Sequence, residues 1–342
     1  MGKKISLRYV LLLSTLIFSI SSKGCLKKDI DPNLENDISS MSHINQAYSE
    51  ADILNKPNKS TKSNSSSSKK NPTVNSEITL NVRGISISLG EEEKSILHKL
   101  GKPNRIVSTE YDFNYYVYNN DYSKLLFVAI RDSEVVGFYT DSIDFNFMGI
   151  SPQSDLNLVN KILKKDFTMD FILTHNTHSY SLEIFMDEVG TNYVTGISLL
   201  TADIKENKSM DEITNHIELL VFDLTNSIRA RNGLSTLSWS STAANAARKH
   251  STDMAINSYF SHYDKYNKGP SDRLNEEGIT FQYLGENIIA GYGTAIISTH
   301  AWFNSPDHRE NILNKNFRNL GVGFTYIKDS DYKTYITQLF YR

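Results

Sequence analysis

The run Lys59-Ser-Thr-Lys-Ser-Asn-Ser-Ser-Ser-Ser-Lys-Lys70, flanked by Pro57 and Pro72, limits what this chain can fold into more than any other segment. Chain of that composition buries too little apolar surface to offset the entropy lost on ordering. The polar, aromatic-poor stretch around it, 26–76, is therefore read as a disordered linker, which as a random coil reaches roughly 35–45 Å. Hydrophobic residues make up 39% of the 342-residue chain, below the roughly 45–50% usual for globular proteins, as expected if part of it packs no core. The 19 Tyr and 16 Phe argue for β-rich folded parts, and the length allows two ordinary domains and a tail.

Residues 1–25 carry the marks of an export signal. Lys3, Lys4 and Arg8 precede the apolar run Tyr9 to Ile20, interrupted by Ser14, Thr15 and Ser19. That run is short for a span of about 20 residues and suits a secretory core of roughly 7–15. Ser19 and Ser21, or Ser22 and Gly24, supply small residues for a cleavage site. Cys25 is the single cysteine, which excludes an intramolecular disulfide or a thiolate metal cluster. Its place after Gly24 resembles a lipoprotein acceptor, although Ser22 and Lys23 stand where that motif wants a bulky apolar and a small residue. Two outcomes stay open: lipidation of Cys25, with membrane contact through this N-terminal anchor, or cleavage and release. Both make the protein extracellular or held at the outer face of the cytoplasmic membrane or cell wall. A net charge of −3 supplies no field that would attract nucleic acid, and none is expected as a partner.

Residues 77–205 read as one α+β domain. Glu91 to Leu100 places acids first, then Ile96, Leu97 and Leu100 on one face, closed by Gly101 and Pro103, the pattern of a capped helix. Tyr115 to Tyr118, Leu125 to Ile130 and Val135 to Tyr139 are β-rich runs, the first expected to bury one face. The pattern then echoes: Gly149-Ile-Ser precedes a second helical stretch, Asp155 to Lys164, as Gly84-Ile-Ser precedes the first. Leu182 to Met186 and Val194 to Leu199 follow as strands.

A different pattern fills 209–342. Ile213, Ile217, Leu220, Leu224 and Ile228 recur at steps of four and three, predicting an amphipathic helix that ends by Gly233. Ser241 to Asn257 is a second helix rich in alanine. Gly285 to Gly291 reads as a loop, Ile296 to Phe303 as a helix, and Pro306 starts another. Leu320 to Ile327 and Thr334 to Tyr341 are strand-like.

The order of marks in this region resembles the CAP superfamily (cysteine-rich secretory proteins, antigen 5 and pathogenesis-related 1, or SCP-like). The marks are Asn226-Ser-Ile-Arg229, Gly233 to Trp239, Tyr259-Phe-Ser-His262, Gly285-Glu-Asn-Ile288, Trp302, Ser305-Pro-Asp-His-Arg-Glu-Asn-Ile-Leu313, Gly321-Val-Gly323 and Thr337-Gln338. It is most similar to the disulfide-free bacterial branch. Through Leu100-Gly-Lys-Pro103, Tyr115 to Tyr118 and Val135-Val-Gly-Phe-Tyr139, the preceding domain resembles the N-terminal domain that accompanies some bacterial CAP domains. The resemblance implies a three-layer α-β-α sandwich with a His/Glu-lined cleft.

That cleft typically holds two histidines and two glutamates. Carried over, His262 matches the first His and Glu286 the first Glu, whereas Ser305 and Tyr335 stand at the other two positions, so half the set is missing. His308, in the Ser-Pro-x-His-Arg element, is expected to reach the same cleft. His262, Glu286 and His308 are thus the candidates for a ligand-binding cleft, for a metal site holding a divalent ion such as Zn²⁺, and for catalysis by proton transfer. The bland reading is that all three are satisfied structural groups. His250, in the alanine-rich helix, reads as packed, and His175 and His178 as lying in a loop. Arg309 and Glu310 read as helix-start charges forming a salt bridge, and Asn226 and Arg229 as scaffold. No nucleophile elbow, His-Glu-x-x-His or phosphate-binding Gly-Lys loop is present. Three functions remain open: a binding or interaction module for a lipid, envelope polymer or protein partner; a metal-assisted hydrolase of envelope peptide or glycan; and a structural surface or spore component.

Overall fold

The computed structural model describes residues 78–342. The predicted signal 1–25, the linker 26–76 and Cys25 lie outside the described residues.

The chain opens with a hairpin, β1 (Thr79–Val82) and β2 (Ile85–Ser88). Arg83 and Gly84 between them have φ of 55° and 75°, the double positive φ of a tight two-residue turn matched to strand twist. Helix α1 (Glu93–Leu100) stops at Gly101. Strands β3 (Arg105–Ser108), β4 (Asn114–Tyr118), β5 (Leu126–Arg131), β6 (Glu134–Thr140) and β7 (Asn146–Phe147) follow. Helix α2 (Leu156–Leu163) starts where Asp155 accepts a hydrogen bond from the Leu158 amide, a capping carboxylate at the positive helix end. Strands β8 (Ile172–Asn176), β9 (Tyr180–Met186) and β10 (Val194–Thr201) complete this part.

The echo seen in the sequence is real at the level of elements, but the two units do not make separate sheets. They join through antiparallel pairing of β6 with β10 into one seven-stranded sheet, ordered β3-β4-β5-β6-β10-β9-β8, while β7 crosses to β1 in a three-stranded sheet. The expectation that the Tyr115–Tyr118 run buries one face is corrected. Tyr115 and Val117 pack on one side and Tyr118 on the other, because α1 and α2 cover the second face through Ile96, Val159 and Leu163.

The C-terminal part contains α3 (Thr214–Arg231), β11 (Ser238–Trp239), α4 (Ser241–Ile256), α5 (Pro270–Glu276), β12 (Leu284–Ala290), α6 (Ala295–Phe303), α7 (Pro306–Leu313), β13 (Asn319–Tyr326) and β14 (Thr334–Tyr341). Its four-stranded sheet runs β11-β13-β14-β12. Leu320, Val322, Phe324, Ile336 and Phe340 share a core with α3, and Leu284 and Leu339 pack against Ala243, Ala246 and Ala247 of α4 on the opposite side. The layers are α-β-α, as expected. The segment Gly285 to Gly291, read as a loop, is instead mostly the edge strand β12. Glu286 and Asn287 weaken the strand signal, but the ladder to β14 runs unbroken from Leu284↔Tyr341 to Ala290↔Tyr335.

The exposed side of the seven-stranded sheet does not face water. Tyr115, Phe127, Tyr139 and Phe185 belong to the same apolar core as Leu220, Leu224 and Trp302. Buried polar ties reinforce it. Asp223 of α3 takes hydrogen bonds from Asn119 Nδ2 at 2.8 Å and Tyr122 Oη at 2.9 Å, and pairs with Arg105. Asp141 accepts from Ser227 Oγ at 2.6 Å. His300, neutral because burial drives its pKa far down, contacts Tyr139 Oη at 2.9 Å and stacks on Phe185. Arg309 pairs with Asp187 at 2.6 Å, which corrects its expected salt bridge with Glu310: its partner is supplied by the loop after β9.

Candidate functional site

Three elements build the site. After α4 the chain runs through 257–269, carrying His262, and turns back at α5, whose Pro270 sits in the first turn where its missing N–H is harmless. Strand β12 pairs only with β14; alternation along it puts Leu284, Glu286 and Ile288 on the α4 side. Across the edge, α7 is tied to β12 by Asn311 Nδ2 donating to the Glu286 carbonyl at 3.1 Å and Asn287 Nδ2 donating to the His308 carbonyl at 3.1 Å.

The Glu286 carboxylate is fully engaged. Its Oε1 lies 2.7 Å from His262 Nδ1 and its Oε2 2.5 Å from Arg273 Nη2. Arg273 Nη2 also donates to the His262 carbonyl at 2.9 Å, so one guanidinium fixes both the carboxylate and the loop bearing its imidazole partner. Burial alone would raise the Glu286 pKa; the Arg273 charge and the His262 hydrogen bond outweigh it and hold the group at about 2. His250 is buried, and its Nε2 donates to the Ser261 carbonyl at 3.0 Å. Burial, then neighbouring Arg273 and His262 against Glu286, bring it to about 4. His308 Nδ1 meets Ser305 Oγ at 2.8 Å, and burial followed by the proximity of His262 lowers it to about 4. At neutral pH the centre is therefore one carboxylate and one guanidinium with neutral His250 and His308.

Of the expected trio, the structure joins His262 and Glu286 directly and sets His308 near enough for the His262 charge to be felt, without a shared hydrogen bond. The expected metal set does not assemble: among the described residues no group of three or more His, Cys, Asp or Glu is placed to hold a metal ion. Arg273, a permanent cation on Glu286 Oε2, adds a positive charge beside any cation that would bind there. A carboxylate held at about 2 is also a weak general base at neutral pH. What the pair does well is orient an imidazole. Nδ1 is bound to Glu286 and the His262 side chain remains 21% exposed.

Ser305, at the family's second Glu position, serves His308. Tyr335, at the second His position, packs with Met254, Ala255 and Ile288. Asn226 and Arg229 make the expected scaffold contacts, Asn226 with Leu237 and Arg229 with backbone carbonyls. His175, read as lying in a loop, is instead in β8, edge-on to Tyr180 across the hairpin, while His178 lies in the turn between β8 and β9. Sequence reasoning missed Arg273, whose only signal was a position one turn into a Gly-Pro-started helix, and missed that His250 faces the same carboxylate.

Family models match two segments: CAP, the cysteine-rich secretory protein family, at residues 222–340, and CAP-associated N-terminal at residues 89–184. A Bacillus subtilis (strain 168) protein described as "Uncharacterized membrane protein YlbC" is 26% identical over 280 residues, 70% of this chain and 80% of its own length. YkwD of the same organism is 40% identical over 107 residues, 31% of this chain and 42% of its own length. Among solved structures, an extracellular SCP-domain protein from Bacillus anthracis superposes with a TM-score of 0.60 at 24% identity, covering 81% of this chain and 99% of that one. A cysteine-rich secretory protein from Staphylococcus aureus gives 0.56 at 15% identity, covering 74% and 93%. The chain thus carries a CAP domain at residues 222–340, with a CAP-associated N-terminal domain at residues 89–184 ahead of it.

Proposed function

We propose that this CAP protein is an exported binding module of the cell envelope or its surroundings, whose cleft takes a small ligand or polymer end on His262 rather than cutting it. The observation that carries this reading is the closed Arg273–Glu286–His262 chain. It engages both carboxylate oxygens and holds in place an imidazole that stays partly exposed. Export is supported by the basic-then-apolar N-terminus, by a relative described as a membrane protein and by a structural neighbour described as extracellular. No helix among the described residues is long and apolar enough to cross a membrane; an anchor through Cys25 is the membrane contact this reading includes.

The test incubates the full chain with purified cell-wall sacculi and with extracted envelope lipid. Retention on either that falls in His262→Ala, with no soluble fragments released, is the expected result. Release of peptide or glycan fragments that disappears in His262→Ala would replace binding with hydrolysis.

A further inference from the structure

The C-terminal ends of α3 and α7 border a hollow of about 360 Å³ lined by three cations, Arg229, Lys315 and Arg318, together with Ser235 and Asn316. No carboxylate is among its lining residues. Arg229 is 1% exposed. Its Nε donates to the Ser235 carbonyl at 2.9 Å and its Nη1 to the carbonyls of Ile312 at 2.8 Å and Asn314 at 2.9 Å. Nη2 has no acceptor among the described residues, and it is the nitrogen Arg229 has left for the hollow.

Buried charges are ordinarily paired with an opposite charge; Arg229 has none. Arg318 donates only to the carbonyls of Lys315 and Phe317, both at 2.7 Å, and Lys315 is exposed with no acid beside it. Two helix C-termini supply roughly −0.5 charge each, too little to balance three whole positive charges. Burial and the nearby Arg318 accordingly pull Arg229 down to about 10. Among the described residues none supplies an opposite charge to the buried Arg229. Two guanidiniums and an ammonium around one hollow, with the Ser235 hydroxyl and the Asn316 amide as further donors, offer enough positive charge and donors for a doubly charged oxyanion such as phosphate.

We propose that this hollow is a binding site for a phosphate group, as a monoester or diester. It is separate from the His262–Glu286 cleft, because none of its lining residues belongs to that cleft and His308 lies in the first turn of α7 whereas the hollow lies beyond its last, five residues or about 7.5 Å further along the helix. The site does not depend on the cleft reading.

The test titrates the full chain calorimetrically with glycerol phosphate, with glycerol as the uncharged control, and in a second arm with phosphatidylglycerol against phosphatidylcholine vesicles. The variants are Lys315→Ala with Arg318→Ala, both surface residues, and Lys328→Ala as a cation elsewhere. Saturable binding that weakens about tenfold or more in the double variant, is unchanged in Lys328→Ala and in His262→Ala, and shields Lys315 from amine acylation is the expected result. Binding to glycerol phosphate alone identifies a phosphate group that is not held in a lipid bilayer as the source. Vesicle binding that depends on the same residues identifies a lipid headgroup. Absence of saturable binding in both arms, or equal affinity in the double variant, overturns the proposal.

Discussion

Arg273 Nη2 lies 2.5 Å from Glu286 Oε2, with both side chains buried. This contact decides the chemistry of the cleft, because it turns a carboxylate that could have been a base or a ligand into a fixed anion. Breaking one partner of a buried pair leaves the other uncompensated, so Arg273→Met is expected to lower stability by about 3–5 kcal/mol. Glu286→Gln in the same background removes the stranded charge and is expected to recover part of that loss. Urea unfolding of the two variants measures both; a loss below about 1 kcal/mol in Arg273→Met would mean the pair is not what holds the site.

The contribution of His250 and His308 to stability is expected to fall on mild acidification. His250 and His308 have folded pKa values of about 4 against 6.5 for the free side chain, so the unfolded chain binds more protons through that interval. Their contribution is complete above pH 6.5 and is lost as pH falls to about 4. Each contributes a slope approaching about 1.4 kcal/mol per pH unit. Glu286, held at about 2 against 4.5, extends the loss to lower pH with the same sign. Unfolding midpoints at pH 7 and pH 5 in wild type and His308→Gln test this: the variant is expected to show the shallower dependence, and equal dependence would remove His308 from the account.

Much of this fold is legible because local chemistry and final structure agree. Asp155 before Leu156, Pro306 after Ser305 and the four-three spacing from Ile213 to Ile228 each declare a helix, and each helix is present. Readings failed where a distant partner decides. Glu286 and Asn287 are poor strand formers, and β12 exists because β14, some fifty residues later, offers it a complete ladder. Pairing of β6 with β10 is equally non-local. His262 and Glu286 could be named from the family pattern, whereas Arg273 became visible only once α5 folded back over the carboxylate.

Asp223 joins the two halves by holding Arg105, Asn119 and Tyr122. Burial raises its pKa to about 6 despite Arg105, so the tie is held against a desolvation penalty. Asp223→Ala strands the Asn119 and Tyr122 donors and is expected to cost about 2–3 kcal/mol. Asp223→Asn, which keeps the shape without the charge, is expected to cost less. Because one apolar core spans both halves, hydrogen exchange in Asp223→Ala should accelerate in β3–β5 and in α3 together. Acceleration confined to β3–β5 would show that the halves unfold separately.

Gly321 and Gly323 test how closely α4 lies on the sheet. A Cβ at Gly323 would overlap the backbone of Ala247 and Arg248, and one at Gly321 the backbone of Ala243 and Ala244. Neither glycine is needed for a left-handed conformation, since neither has a positive φ; what requires them is approach. The alanines of α4 and the glycines of β13 are thus two sides of one close contact, which also brings Ser251 Oγ within 3.0 Å of the Gly323 carbonyl. Overlap with backbone cannot be relieved by a rotamer change, so Gly323→Ala must lift the helix, at an expected loss of at least about 2 kcal/mol. The same lift loosens the packing around His250, whose burial is the main cause of its lowered pKa, so the variant should also shift the His250 titration measured by NMR toward that of a free imidazole. A stable Gly323→Ala protein with an unchanged His250 titration would mean that helix and sheet are not in the contact described.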